Sequence, residues 1–336
     1  MTTFAPSDCS IGIKKETVYG TAVTVDRHLV FTAAPLQKQI NYLQSEGMKV
    51  GRVGPGFSGR VPGSLTVSGD IELEADSVDT RILLEAAFGA IETGGSAPGP
   101  YFHLATCAAG GLPPSYTIQM GVPIGSSAAT IASHTFTGMM CNQLKLDASN
   151  GEFVKLTSSW VGKDMDTAPA FVTPAYTADS TLLTFFSASL AIGGTVVPPT
   201  TTAKATGGTA ASNVRDLTIT LDNGLPDNVP VFGSGGTRLS APPYGRRKIT
   251  GQFTAEFDAV TLRDASLAGT GLALLLEVAG GTDEALQLVL PKIALDSNLP
   301  NSNKGELITQ QFSFTAYEDD ADLFAYALLQ NTVAAA

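Results

Sequence analysis

At 336 residues the chain has room for two domains of ordinary size, each able to bury its own core, and 43% hydrophobic content is that of a globular protein. Its 31 acidic against 20 basic residues, net −11, exclude a surface that grips nucleic acid by releasing counterions, which needs clustered Lys and Arg. Three cysteines without a C-x-x-C pair (Cys9, Cys107, Cys141) exclude a disulfide framework and a thiolate zinc site, and no apolar run approaches the ~20 residues of a membrane span.

Residues 1–30 read as an amino-terminal arm. Met1-Thr-Thr-Phe-Ala-Pro lacks the basic flank and apolar core of a signal peptide, so the expectation is a soluble chain made and assembled in a cytoplasm. Ile11 to Thr21 shows little periodicity and ends in a glycine turn. A first strand is predicted over Leu36–Leu43, then a long Gly/Pro/Arg loop over 45–63, longer than compact domains tolerate without a use for it. Ser64–Asp76 is the clearest strand. Leu65, Val67, Ile71 and Leu73 fall on one parity and Asp70, Glu72, Glu74 and Asp76 on the other, which puts a column of carboxylates opposite a core face. A helix follows over Val78–Phe88, capped by Asp76 or Ser77, buried through Val78, Ile82, Leu83 and Ala86, and ended by Gly89.

Residues 91–114 read as loop. Strands are predicted at Tyr116–Val122, Phe136–Leu146 and Phe153–Val161, with a linker over Asp164–Asp179. Further strands follow at Leu183–Ile192 and Leu217–Leu221, separated by the low-complexity stretch 198–212. A second Gly/Pro/Arg loop spans 225–248. Thr250–Asp258 is a strand, 259–267 helical, Leu272–Ala279 and Ala285–Leu290 a hairpin, and Leu307–Tyr317 a closing strand.

The chain repeats itself. Gly69–Arg81 and Gly251–Arg263 align without gaps at an offset of 182, sharing the glycine, Glu74/Glu256, Asp76/Asp258, Val78/Val260 and Arg81/Arg263. Leu144–Asp147 matches Ile293–Asp296 at an offset of 149, and Gly151–Val154 matches Gly305–Ile308 at 154. Changing offsets are what loops of unequal length produce, and both long loops precede the repeated strand. The expected organisation is therefore an arm at 1–30, one copy over 31–170 and a second over 171–336.

Catalytic patterns are missing. No G-x-S-x-G elbow in a strand-to-helix context, Walker loop, H-E-x-x-H or EF-hand loop is present, so no catalytic, metal or cofactor site is expected. Glu72 and Glu74 have a spacing that suits a glycosidase pair, but Trp160 is the one tryptophan available to stack on sugar. His28, His103 and His134 stand alone, and Arg246-Arg-Lys248 lacks the interleaved aromatics of a nucleic-acid site.

Four segments in order resemble the tail tube (major tail) proteins of long-tailed bacteriophages: Glu16-Thr-Val-Tyr-Gly-Thr21, Gly69–Gly89, Leu217–Gly224, and Phe312–Asp319 followed by Leu328-Leu-Gln-Asn331. The resemblance implies a mainly β fold of two tandem β-sandwich or partial-barrel domains, each with a flanking helix, assembling into a ring with a β-barrel lumen. It implies a structural subunit, not an enzyme, whose rings stack through arms and loops into a conduit for DNA ejection. Three duplicated chains would then replace the six of a hexamer. Implied partners are further copies of itself, the tape measure protein and phage DNA in the bore, and tail terminator and distal tail proteins at the ends. A bore that passes DNA is expected to be polar and negative, so Asp70, Glu72, Glu74 and Glu256 are the candidate lumen residues. Arg52, Arg60, Arg246 and Arg247, on the two long loops, are the candidate contacts to the next ring. An all-β adhesion or capsid-decoration module is the alternative reading of the same composition.

Overall fold

A computed structural model describes residues 8–334 apart from 98, 108–111, 125–129, 178–179, 212, 227–229, 258–259, 298–299, 301–307 and 319–321. Asp258 of the repeated strand, Gly305-Glu-Leu307 of the third repeat and Asp319 lie outside the described residues.

Period-two stretches became strands, and the two stretches of helical period became helices. The first half carries β1 (Ser10–Lys15), β2 (Arg27–Leu29), β3 (Gln37–Gln44), β4 (Arg60–Glu74), α1 (Thr80–Phe88), β5 (Ile91–Gly94), β6 (Tyr101–Thr106), β7 (Tyr116–Pro123), β8 (Ile131–Ser149), β9 (Lys155–Gly162) and β10 (Asp164–Asp166). The second half carries β11 (Ala188–Ile192), β12 (Val196–Val197), β13 (Thr206–Gly207), β14 (Val214–Asp222), β15 (Lys248–Glu256), α2 (Thr261–Ala268), β16 (Leu272–Ala279), β17 (Ala285–Ser297), β18 (Thr309–Ala316) and β19 (Tyr326–Asn331).

One layer is an antiparallel run in the order β3-β4-β9-β8-β14-β15-β18-β17. The amino-terminal halves of the long strands β8 and β17 leave it for a second layer. There β8 is flanked by β7 and β10, and β17 by β16 and β19. Beyond them β1 lies on β7 and β11 on β16, while β6 lies on β19. The same succession of pairings thus occurs in each half: β3-β4-β9-β8-β7-β1, and β14-β15-β18-β17-β16-β11. A bulge recurs with it. Tyr116/Ile118 oppose Met139/Phe136 as Leu272/Leu274 oppose Ile293/Leu290, three residues facing four in both halves.

Apolar sides of the two layers meet in one core. Tyr116 of β7 stands edge-on to Trp160 of β9 at 5.7 Å, and Phe253 stacks on Phe312 at 5.1 Å. The eight-stranded layer is open. Among the described residues β3 pairs with β4 alone, and β17 beyond Ile293 pairs with β18 alone.

Helix α1 starts at Thr80, two residues after the expected Val78, and ends at the expected Phe88. The Asp76 carboxylate accepts from the N–H groups of Val78 (3.0 Å), Asp79 (2.6 Å) and Thr80 (3.1 Å), satisfying donors the first turn leaves open. Gly89, at φ +104°, ends it. Burial of α1 extends to Leu84, Ala87 and Phe88, beyond a single stripe, whereas α2 has no buried residue.

Several expectations need correction. Ser10–Lys15 is not an arm but a six-residue strand paired with both β2 and β7, with Ile11 and Ile13 fully buried. Residues 91–114 contain β5 and β6, short strands that pair with each other, β6 lying also on the distant β19. The linker stretch contains β10, and the first long loop shortens because β4 begins at Arg60. The strand predicted at Leu183–Ile192 begins only at Ala188, after a 3₁₀ turn at Phe185–Ser187. The second sequence repeat is out of register. Ser158 faces Leu144 and Phe312 faces Ser297, so pairing matches Leu144 with Ser297 rather than with Ile293. A four-residue shift preserves the strand face, which hides it from the sequence, and β8 also carries an extra residue at Asn142.

Candidate functional site

On the solvent side of the eight-stranded layer, cross-strand register sets polar residues in rows. One row runs Glu74, Lys155, Asp147, Thr218, Gln252, Ser313, Asp296. The next runs Glu72, Thr157, Lys145, Thr220, Thr250, Thr315, Ala294. Asp70, Ser159, Gln143, Asp222 and Lys248 form a third. Each row residue is flanked along its strand by residues pointing into the core, as the two-residue period requires.

All four expected lumen residues, Asp70, Glu72, Glu74 and Glu256, therefore share one face. Asp147, Asp216, Asp222 and Asp296 join them and were missed. Their signal was present, since Leu144-Lys-Leu-Asp147 and Asp216-Leu-Thr-Ile-Thr-Leu-Asp222 alternate as clearly as β4. Against these carboxylates stand Lys145, Lys155, Lys248 and Arg215, so the face is negative. Lys145 pairs with Asp147 and Arg215 with Glu256, both at 2.6 Å, and Lys155 turns to Glu152 at 2.6 Å. Among the described residues Asp70, Glu72 and Glu74 form no ion pair, although Glu72 and Glu74 lie close enough to Lys155 to help hold its proton.

The loop arginines separate into two kinds. Arg52, Arg60 and Arg246 are exposed, Arg60 lying over the Tyr42 ring at 3.7 Å. Arg247 turns inward, its guanidinium 3.6 Å over Tyr244 and beside Cys107, whose thiol burial pushes up to about 11. Neighbours on an extended chain point to opposite sides, which is why Arg246 and Arg247 part company.

Three motif residues act as ties. Glu16 is buried and accepts from the Gly20 N–H (2.8 Å), the Ser115 and Thr117 hydroxyls (2.7 and 3.0 Å) and the Gly138 N–H (2.8 Å). Asn223 donates to the Ala87 and Cys141 carbonyls, both at 2.9 Å, at the end of α1. Asn331 donates to the Ser77 carbonyl at 2.7 Å, just before α1, and accepts from His103 Nε2 at 3.0 Å. The Thr93 hydroxyl donates to the other His103 nitrogen, and burial lowers the pKa of this histidine. Two asparagines from the second half thus hold both ends of the helix in the first.

Among the described residues no three potential metal ligands come together, and no helix is long and apolar enough to cross a membrane. Residues 6–316 match the family model described as phage tail tube protein, and the chain belongs to that family. It is a structural subunit of a phage tail tube, located in the virion tail, and the family is not one of enzymes. No curated protein matches the chain.

Proposed function

We propose that three chains, each contributing two tube units, close into a pseudo-hexameric ring, and that stacked rings form a negatively lined conduit for DNA ejection. One observation carries this reading. Within the chain the two halves are already joined edge to edge by β8 and β14, from Gln143↔Asp222 to Ser149↔Asp216, while among the described residues β3 and the end of β17 keep free edges. Pairing β17 of one copy with β3 of the next repeats that seam and removes both edges. The recurring succession of pairings supports treating residues 31–170 and 171–336 as two copies of one unit.

Three chains give a closed run of 24 strands, three times the eight of one chain. At ~4.8 Å between strands and a tilt near ~40°, the backbone cylinder is roughly 48 Å across, which leaves room for a hydrated duplex inside the side chains. Placed inward, the rows of Thr, Ser, Gln and carboxylates present DNA with no cationic stopping point. In this arrangement Asp70, Glu72, Glu74 and Glu256 line the bore, which also holds the tape measure protein before ejection. Terminator and distal tail proteins close the tube ends, and assembly proceeds in the host cytoplasm. Arg52, Arg60 and Arg246 face the adjacent ring, whereas Arg247 secures its own loop.

Mass measurement of isolated rings tests the stoichiometry. A trimer weighs about 104 kDa, three times the 34.7 kDa chain. A ring of six chains, or a protein that never leaves the monomer, overturns it.

A further inference from the structure

The two ends of the eight-stranded layer are unlike, and their difference reads as a plug and its socket. At one end β9 stops opposite Val67, so Arg60–Thr66 has β3 alone as its paired strand, a two-stranded stalk of roughly 23 Å at ~3.3 Å per residue, braced near its base where the Leu65 N–H donates to the Gly236 carbonyl of the second long loop. The loop it carries, 45–59, holds Met48, Val50 and Val53 at 100–108% exposure and Phe57 at 88%. Single exposed apolar side chains are ordinary. Four on one projecting loop mark a contact surface.

At the opposite end, where β8 finishes and β14 starts, lies an apolar hollow of about 350 Å³. Ala148, Phe185, Leu190, Val214 and Leu276 line it, and Phe186 stands at it 78% exposed. Charge follows the same polarity. Among the described residues the loop end carries Lys49, Arg52, Arg60, Arg238, Arg246 and Lys248 against Glu46 and Asp222, in a chain of net charge −11. The end with the hollow carries Glu74, Glu152, Asp216 and Glu256 against Lys155 and Arg215.

We infer that the occupant of this hollow is the 45–59 loop of a second copy in the next ring. The proposal rests on the ring reading above and adds the socket and the apolar nature of the anchor. A contact between two different patches of one chain is heterologous, and when no rotation closes it the product is an open filament. Burying the loop tip supplies the attraction. The arginines, meeting the acidic end, set direction and disfavour stacking of like ends.

The test uses the full chain. Phe186→Asp and Val53→Asp change exposed side chains, so circular dichroism should show native β content in both. Sedimentation and negative-stain microscopy then read assembly. The expected result is rings of wild-type mass with tube yield reduced at least tenfold. A Val53→Cys, Phe186→Cys double variant should crosslink between chains in tubes under a thiol-reactive crosslinker, while either single variant should not. Wild-type tube yield from Phe186→Asp, or an uncrosslinked double variant, overturns this contact and leaves the ring reading standing. A wild-type protein that forms no rings overturns both.

Discussion

The carboxylate of Glu16 accepts the backbone N–H of Gly138 at 2.8 Å, across 122 positions of sequence. Gly138 lies at φ +65° at the bulge where β8 passes from one layer to the other, and a Cβ there would meet Lys163 Cβ at 2.7 Å. Tyr19, from the same motif, packs beside this glycine. A segment that reads as a loose arm is therefore the fastening of the bend that both layers depend on.

Glu16→Ala should destabilise the chain severely. It strands the N–H groups of Gly20 and Gly138 and the hydroxyls of Ser115 and Thr117, so a loss on the order of 3–5 kcal/mol is expected from orphaned buried donors. Lys15→Ala, which removes only a half-exposed lysine from its pair with Glu85, should cost under about 1 kcal/mol. Urea denaturation of both variants checks the contrast. Equal midpoints would show that Glu16 is not the tie described.

Asp79→Asn should stabilise the protein at alkaline pH. Burial first, then the neighbouring Asp76 carboxylate, raises the Asp79 pKa from 3.8 to about 6, while Arg27 at 3.9 Å draws it back. At pH 8 the group is ionised in both states and the native state bears the cost, so the neutral amide should gain on the order of 2 kcal/mol. As pH falls through 6 the native carboxyl takes up its proton first, and wild type recovers until about 3.8, where the unfolded chain has caught up. Denaturant midpoints of the two proteins should converge over that window. A variant less stable than wild type at pH 8 refutes the assignment.

Glu72→Lys with Glu74→Lys should leave the fold almost unchanged, since both side chains lie on the polar face, are only partly buried and form no ion pair among the described residues. Its effect should fall on DNA. Three chains would exchange negative for positive charge within two adjacent rows, and ejection through such a tube should slow and become salt-dependent. Ejection from particles carrying the variant, followed against salt concentration, reads this. A rate equal to wild type at low salt would place the face away from the DNA path.

Much is legible in the sequence alone. Leu65, Val67, Ile71 and Leu73 against Asp70, Glu72 and Glu74 had to form a two-faced strand, because side-chain alternation is a property of the extended backbone itself. Asp76 and Gly89 had to bound a helix, because capping needs only neighbours in sequence. The repeat of β4 as β15 was visible for the same reason.

What only tertiary structure decided is who meets whom. That β1 enters the second layer, that β6 finds β19, that Asn223 and Asn331 grip opposite ends of α1, and that Arg247 turns inward all depend on partners dozens to hundreds of residues away. The four-residue slip between Leu144 and Ser297 belongs with them, because a period of two is blind to any even shift. Local periodicity determined which side of each strand is polar. Long-range pairing, chosen by the shape of the common core, determined that those sides join into one acidic surface.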